Sequence, residues 1–313
     1  MLHLRVICPP DRTDEVCGVL DRAVGVAHVV VLRGAAVRPP GDVIEADLAR
    51  ECLDAVLAEL TALSIDHDGA ITLESLDTVL SDAATRAEED APGEGADAVV
   101  WDELIALTGG ESRLTATFQI FLTIACLLAA IGAITDSPVT VVGAMVLGPE
   151  FGPLAALAVG LVLRRGDLIR RGALALAVGF PLAMLVTAGA ALVFDTTGLL
   201  TTNTLSRLDQ VEFIYHVGPF SLIVAMLAGV AGVLALTSAK SASLVGVFIS
   251  VTTVPAAAFA SVALVEGRLD QAASSALQLV VNLVGIVVAA ALGLLVTMRS
   301  HRRTHLGRPL SRG

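Results

Sequence analysis

The first apolar positions of the chain, Leu2, Leu4 and Val6, alternate with less buried-prone neighbours and predict a short strand with one covered face. Over residues 11–23 the spacing widens to that of an amphipathic helix, and the β-branched run at 26–32 predicts a second strand. After the turn-forming stretch 38–42 (RPPGD), alternation at 43–46 predicts a third strand, 48–63 a second helix and 70–76 a last strand. The resulting order, βαββαβ, is the ferredoxin-like α+β plan. That plan serves equally as a ligand sensor or as a plain interaction module, so it does not fix a function.

Farther along, the periodic pattern gives way to continuous apolar runs at 113–135, 138–163, 172–194, 218–238, 243–265 and 272–298, each near the roughly 20 residues a bilayer requires. Six helical spans are expected. Between the two regions, 88–95 (EEDAPGEG) is acidic, poor in apolar residues and punctuated by Pro and Gly, as linkers are. Val99, Val100, Trp101, Leu104, Ile105 and Leu107 then share one side of a helix that also carries Asp102 and Glu103, which predicts an interfacial helix with Trp101 at headgroup depth. The expected organisation is a cytosolic ferredoxin-like domain at 1–82, an acidic linker with interfacial helix at 83–111, a membrane domain at 112–298 and a basic cytosolic tail at 299–313.

Composition agrees with lipid as part of the solvent: 55% of the 313 residues are hydrophobic and the mean hydropathy is +0.80. Charge divides the chain as well. Residues 1–111 hold 23 acids and 7 bases, a net of −16, and residues 112–313 hold 8 acids and 13 bases, a net of +5. The acidic first part argues against nucleic acid as a partner, whereas the basic tail suits anionic lipid. The N-terminus has neither the basic region nor the apolar core of a signal peptide. Arg164, Arg165, Arg170, Arg171, Lys240, Arg299, Arg302, Arg303, Arg308 and Arg312 crowd alternate ends of the spans, which places both termini in the cytosol of a bacterial inner-membrane protein. Cys8, Cys17, Cys52 and Cys126 lack metal-ligand spacing and are expected to be reduced and structural, while His3, His28 and His67 are scattered and suggest no metal or acid–base site. The sequence implies no particular cofactor.

A shift of about 100 residues aligns Val142-Gly143-Ala144 with Val245-Gly246-Val247 and Gly152-Pro153-Leu154 with Val254-Pro255-Ala256. If three spans form one copy, the second copy must enter the membrane from the opposite side, giving a 3+3 inverted repeat. Gly148, Pro149, Glu150, Gly152 and Pro153 fall near the middle of the second span, and Thr252, Thr253 and Pro255 near the middle of the fifth. Proline removes a backbone donor and crowds the preceding turn, so both helices are expected to be broken at mid-bilayer. Glu150 is the one acid deep inside a span. An ionised acid there costs several kcal/mol, roughly +2.5 to +3.5 on insertion scales, unless it faces a cavity or is protonated. It could bind a cation, carry a proton or stay neutral as a hydrogen-bond donor. Gln278 and Asn282, four residues apart on one face of the sixth span, either line the same cavity or join helices.

Residues 129–137 (AAIGAITDS), 141–153 (VVGAMVLGPEFGP), the small residues after Gly160, and 246–255 followed by Asn282 resemble the hydrophobic-domain membrane protein family known as domain of unknown function 389. The resemblance covers 112–298 and implies a membrane topology of the transporter or channel kind. Members show apolar residues between the two prolines where this chain has Glu150-Phe151, so a role for Glu150 would belong to a subgroup. The leading expectation is a secondary transporter or channel for a small polar or ionic solute, with its site at mid-membrane between the second and fifth spans, in a homo-oligomer regulated by the cytosolic domain. The alternative is a non-transporting membrane sensor or scaffold whose cytosolic domain binds a metabolite or partner. An enzyme is not expected, because the spans lack HExxH, paired Asp residues or a Ser–His pair at one depth.

Overall fold

The computed structural model describes residues 1–76, 78–91, 101–199, 219–237 and 243–306. They divide into two compact units, the first covering Met1–Leu104 and the second beginning at Ile105.

The first unit is built on β1 (Leu2–Cys8), α1 (Thr13–Arg22), β2 (Val26–Val37), β3 (Pro40–Leu48), α2 (Arg50–Ala62), the single turn α3 (Ile65–Asp68) and β4 (Ala70–Ser75). The four strands are antiparallel in the order β2-β3-β1-β4. The period-two pattern of β1 decides which face is covered: Leu2, Leu4, Val6 and Cys8 are buried, packed with Val16, Val19 and Leu20 of α1 and Leu53, Val56 and Leu60 of α2. Two local predictions need correction. The β2–β3 hairpin is longer than expected, since Val37 pairs with Pro40 and Ala36 with Gly41, so most of the stretch read as a turn is strand. Asp42 tolerates a buried strand position because its carboxylate accepts the Gly34 N–H and the Thr13 hydroxyl, both at 2.7 Å. The acidic run Glu88–Asp90, read as linker, is the last turn of α4 (Asp82–Asp90). Ser81 Oγ caps that helix on the Ala83 and Ala84 N–H groups, and Glu88 pairs with the N-terminal amine at 3.0 Å.

The chain passes from the first unit to the second within α5 (Trp101–Glu111). Then follow α6 (Ala116–Ile134), α7 (Pro138–Val146), α8 (Phe151–Leu163), α9 (Gly166–Thr196), α10 (Pro219–Thr237), α11 (Ser243–Val265) and α12 (Leu269–Leu306). Among the described residues four helices (α6, α9, α10 and α12) are long and apolar enough to cross a membrane, and α7 with α8, bent by 54°, gives a fifth where the pair is counted as one broken span. Within α11 the apolar helix Thr253–Val265 is shorter than a span, so the described residues give four to five candidate spans where six are expected.

The predicted break in the fifth span is not observed: α11 runs through Pro255 as one helix. The cause is visible in the neighbours. At 148–153 two prolines and two glycines coincide, whereas Pro255 stands alone, with its nearest preceding glycine at Gly246. A single missing N–H can be absorbed by a packed helix.

The core of the second unit is made largely of small side chains, among them Ala125, Ala129, Ala133, Ala144, Ala183, Ala225 and Ala256–Ala258, with Leu122, Leu154 and Phe180 filling between them. Such residues let helix axes approach closely where lipid leaves no hydrophobic drive for association. At Gly172 an added Cβ would lie 2.5 Å from the Pro153 carbonyl oxygen, and at Gly229 2.5 Å from that of Ile286. Exposed Ile120, Phe121, Leu185, Leu227, Val284 and Val296 form outward faces suited to lipid.

Candidate functional site

The site begins with a helix that stops and restarts. Ser137 caps α7 by accepting the Thr140 N–H, Pro138 occupies the first turn, and the helix ends at Val146. Leu147, Gly148 and Pro149 turn the chain, and Glu150 is the N-cap residue of α8, its carbonyl accepting the Leu154 N–H at 3.1 Å. Pro149 precedes the cap and Pro153 is the third residue of α8, positions where a missing N–H costs a helix little. The prolines therefore mark the edges of the break and do not sit inside a regular helix. Gly152 has a packing reason: a Cβ there would come within 2.6 Å of Glu111 Cβ and 2.8 Å of the Glu111 carbonyl oxygen.

Glu150 is wholly buried, and so is Thr253 of α11. The Thr253 hydroxyl donates to Glu150 Oε1 at 2.6 Å across 103 residues of sequence. This short contact ties the broken span to α11, which itself packs on α6, α7, α9 and α12. Among the described residues of the second unit, Glu150 is the only Asp, Glu, Lys, Arg or His in the buried class.

A second polar group lies between α10 and α12. Gln278 Nε2 donates to Ser221 Oγ at 3.0 Å, and Ser221 donates to Asn282 Oδ1 at 3.3 Å. Gln278 and Asn282 are both buried, and Gln278 Oε1 has no hydrogen-bond partner among the described residues. Below them an apolar crevice is lined by Phe151, Leu154 and Ala158 of α8, Gly229 of α10, and Ile286 and Leu294 of α12. Its space, about 10 Å³, is that of a single water centre at most.

The predicted site residues thus fall into two groups. Gly148, Pro149, Glu150, Gly152, Pro153 and Thr253 come together at the break, while Gln278 and Asn282 join through Ser221, which the sequence pattern did not single out. Pro255 lies inside α11, two residues past Thr253, and the side chain of Thr252 lies outside the described residues. Gln119, also unforeseen, donates from Nε2 to the Gly179 carbonyl at 3.2 Å and links α6 to α9.

In the first unit the histidines are less scattered than they look. Asp47 accepts or shares hydrogen bonds with His3 Nδ1 at 2.8 Å and His28 Nδ1 at 2.7 Å, and His28 Nε2 meets Ser81 Oγ at 2.7 Å. A β-bulge between Ala27 and Val30 places His28 at φ 51 and turns its ring onto Asp47. The signal was in strand register, since β1 pairs His3 with Asp47 directly. Burial opposes the charge of Asp47, but the hydrogen bonds from His3 and His28 outweigh it and hold the carboxyl below its ordinary value. Among the described residues no group of three His, Cys, Asp or Glu side chains could hold a metal ion.

Fold and site together define a helical membrane protein with a small antiparallel α+β domain at its N-terminal end. Residues 145–288, which contain the break, α11 and the Gln278–Asn282 face, match the family model described as Domain of unknown function (DUF389). This part of the chain is similar to that family. No curated protein and no solved structure gives a significant match.

Proposed function

We propose that the membrane unit is a secondary transporter or channel for a small polar or ionic solute, acting between the bent α7–α8 span and α11. The observation that carries this reading is the position of Glu150: an ionisable carboxyl, wholly buried, at the one sharp break among the described spans and hydrogen-bonded to a second helix. Ionisable groups inside a membrane are expensive and mark solute or proton paths more often than they serve packing. The 103-residue separation of Glu150 and Thr253 is close to the shift of about 100 residues that aligns the chain on itself. Equivalent positions beside a pseudo-two-fold axis in the membrane plane would meet in this way, which supports a six-span 3+3 arrangement with α11 bent less than its counterpart. In this reading the protein is a homo-oligomer of the bacterial inner membrane with both termini cytosolic, it is not an enzyme, and the N-terminal domain regulates it.

The test is flux. Reconstituted into proteoliposomes and challenged with a panel of small ions and polar solutes, the protein should accelerate entry of at least one, and Glu150→Gln should reduce that rate at least tenfold. Equal rates for protein-containing and empty vesicles across the panel would end the proposal. The full burial of both Glu150 and Thr253 also suits a sensor or scaffold that passes nothing. The two readings separate on access: a cysteine in place of Gly148 should react with water-soluble thiol reagents in a transporter and resist them in a sealed anchor.

A further inference from the structure

We propose that the free edge of β2 in the first unit pairs with the same strand of a second copy of this chain, joining the two sheets into one across a two-fold axis. This inference concerns the N-terminal unit by itself and does not rest on the transport reading.

The strand order β2-β3-β1-β4 leaves two edges, and they differ in what they offer a partner. β4 has 6 residues and ends on Glu74 and Ser75, both exposed, a short and charged edge of the kind that does not recruit another strand. β2 has 12 residues, among which Val29, Val30, Val31 and Leu32 follow one another and are each 37–44% exposed. Neighbouring residues of a strand face opposite sides of the sheet, so β2 is uncovered on both faces here. Along its outer side no strand takes up the backbone N–H and C=O groups. α4 reaches β2 at His28, before this run, through Ser81.

Charge selects the occupant. Residues 1–111 hold 23 acids and 7 bases, yet from Arg22 to Gly41 there is no Asp or Glu. Arg33, the charge nearest the exposed run, lies 3.7 Å from Asp14 and 4.0 Å from Asp42 and is balanced within its own chain. An acidic partner strand therefore gains little at this edge. Two copies, which repel one another over most of an acidic surface, meet here without like charges. An antiparallel pair centred on Val31 sets Val30 against Leu32 of the other copy and Val29 against its Arg33, so that aliphatic side chains meet and no two cations oppose. Register shifts between Ala27 and Val30 and between Leu32 and Ala36 bound the regular stretch. The contact is short, and because it uses the same edge of both chains it closes at a dimer.

Disulfide trapping on the full chain in detergent tests this. Val30→Cys, Val31→Cys and Leu32→Cys are made singly in a Cys17→Ser background, which removes the partly exposed native thiol of this unit. Ser75→Cys on the β4 edge is the comparison. Under mild oxidation at least one of the three should give linked dimer in about tenfold greater yield than Ser75→Cys. Adding Val29→Lys, which puts a charge on the edge, should lower that yield roughly fivefold with the thermal transition unchanged. Equal yields from the two edges, or a yield indifferent to Val29→Lys, would mean random collision and overturn the pairing. So would a Val31→Cys thiol that stays shielded from maleimide at dilutions where the chain is monomeric, since lipid, detergent or another segment of the same chain would then hold the edge. Solute flux is read separately in vesicles, so failure here leaves the transport reading standing.

Discussion

Asp47 gathers two imidazoles and, through His28, the cap of α4. Because its folded-state carboxyl lies below its ordinary value, the stability it contributes is present above the unfolded value of about 3.9 and is lost as pH falls through the folded one. Asp47→Asn should therefore cost about 1–2 kcal/mol at neutral pH and nothing at strongly acid pH. Thermal unfolding of the full chain at several pH values checks this, and a cost that stays constant down to acid pH would show that Asp47 acts by shape alone. The cysteines offer a parallel case. Burial pushes the Cys52 thiol up to about 11 and raises Cys8 as well, while Cys17, also raised by burial and by Asp21 and Asp14, is the one partly exposed thiol of the first unit. Maleimide at neutral pH should modify Cys17 first, with Cys8 and Cys52 protected until the domain unfolds, as read by mass spectrometry of peptides.

Among elements, the α10–α12 contact depends on Gly229, where a side chain would press on the Ile286 carbonyl oxygen and the Ala289 Cβ at 3.0 Å. Gly229→Val should force the helices apart and cost on the order of 1–3 kcal/mol, seen as an earlier thermal transition of the solubilised protein. An unchanged transition would mean the seam is not tight. The same scale shows what the sequence could reveal. The period-two strand β1 and the Gly/Pro cluster at 148–153 were legible because the local pattern alone dictates them. The course of α11 was not, because whether one proline breaks a helix depends on the packing around it, here Ala256, Ala257 and Ala258 pressed into the core. His3, His28 and Asp47 were missed for a related reason: 19 and 44 residues separate the partners, and only strand pairing and a bulge bring them together.

For the whole molecule, the proposed orientation makes a prediction of its own. Reporters fused at either terminus should be active on the cytosolic side, and one inserted within 200–218 on the opposite side. A single terminus reporting outward would remove the even number of crossings on which the six-span arrangement depends. The membrane core sets how its helices can move against one another. Its interior seams are lined mainly by alanine and glycine, side chains with no rotamers to unlock. Sliding one helix along another by a turn there exchanges methyl for methyl, so the surfaces resist separation yet offer little friction to displacement along their length.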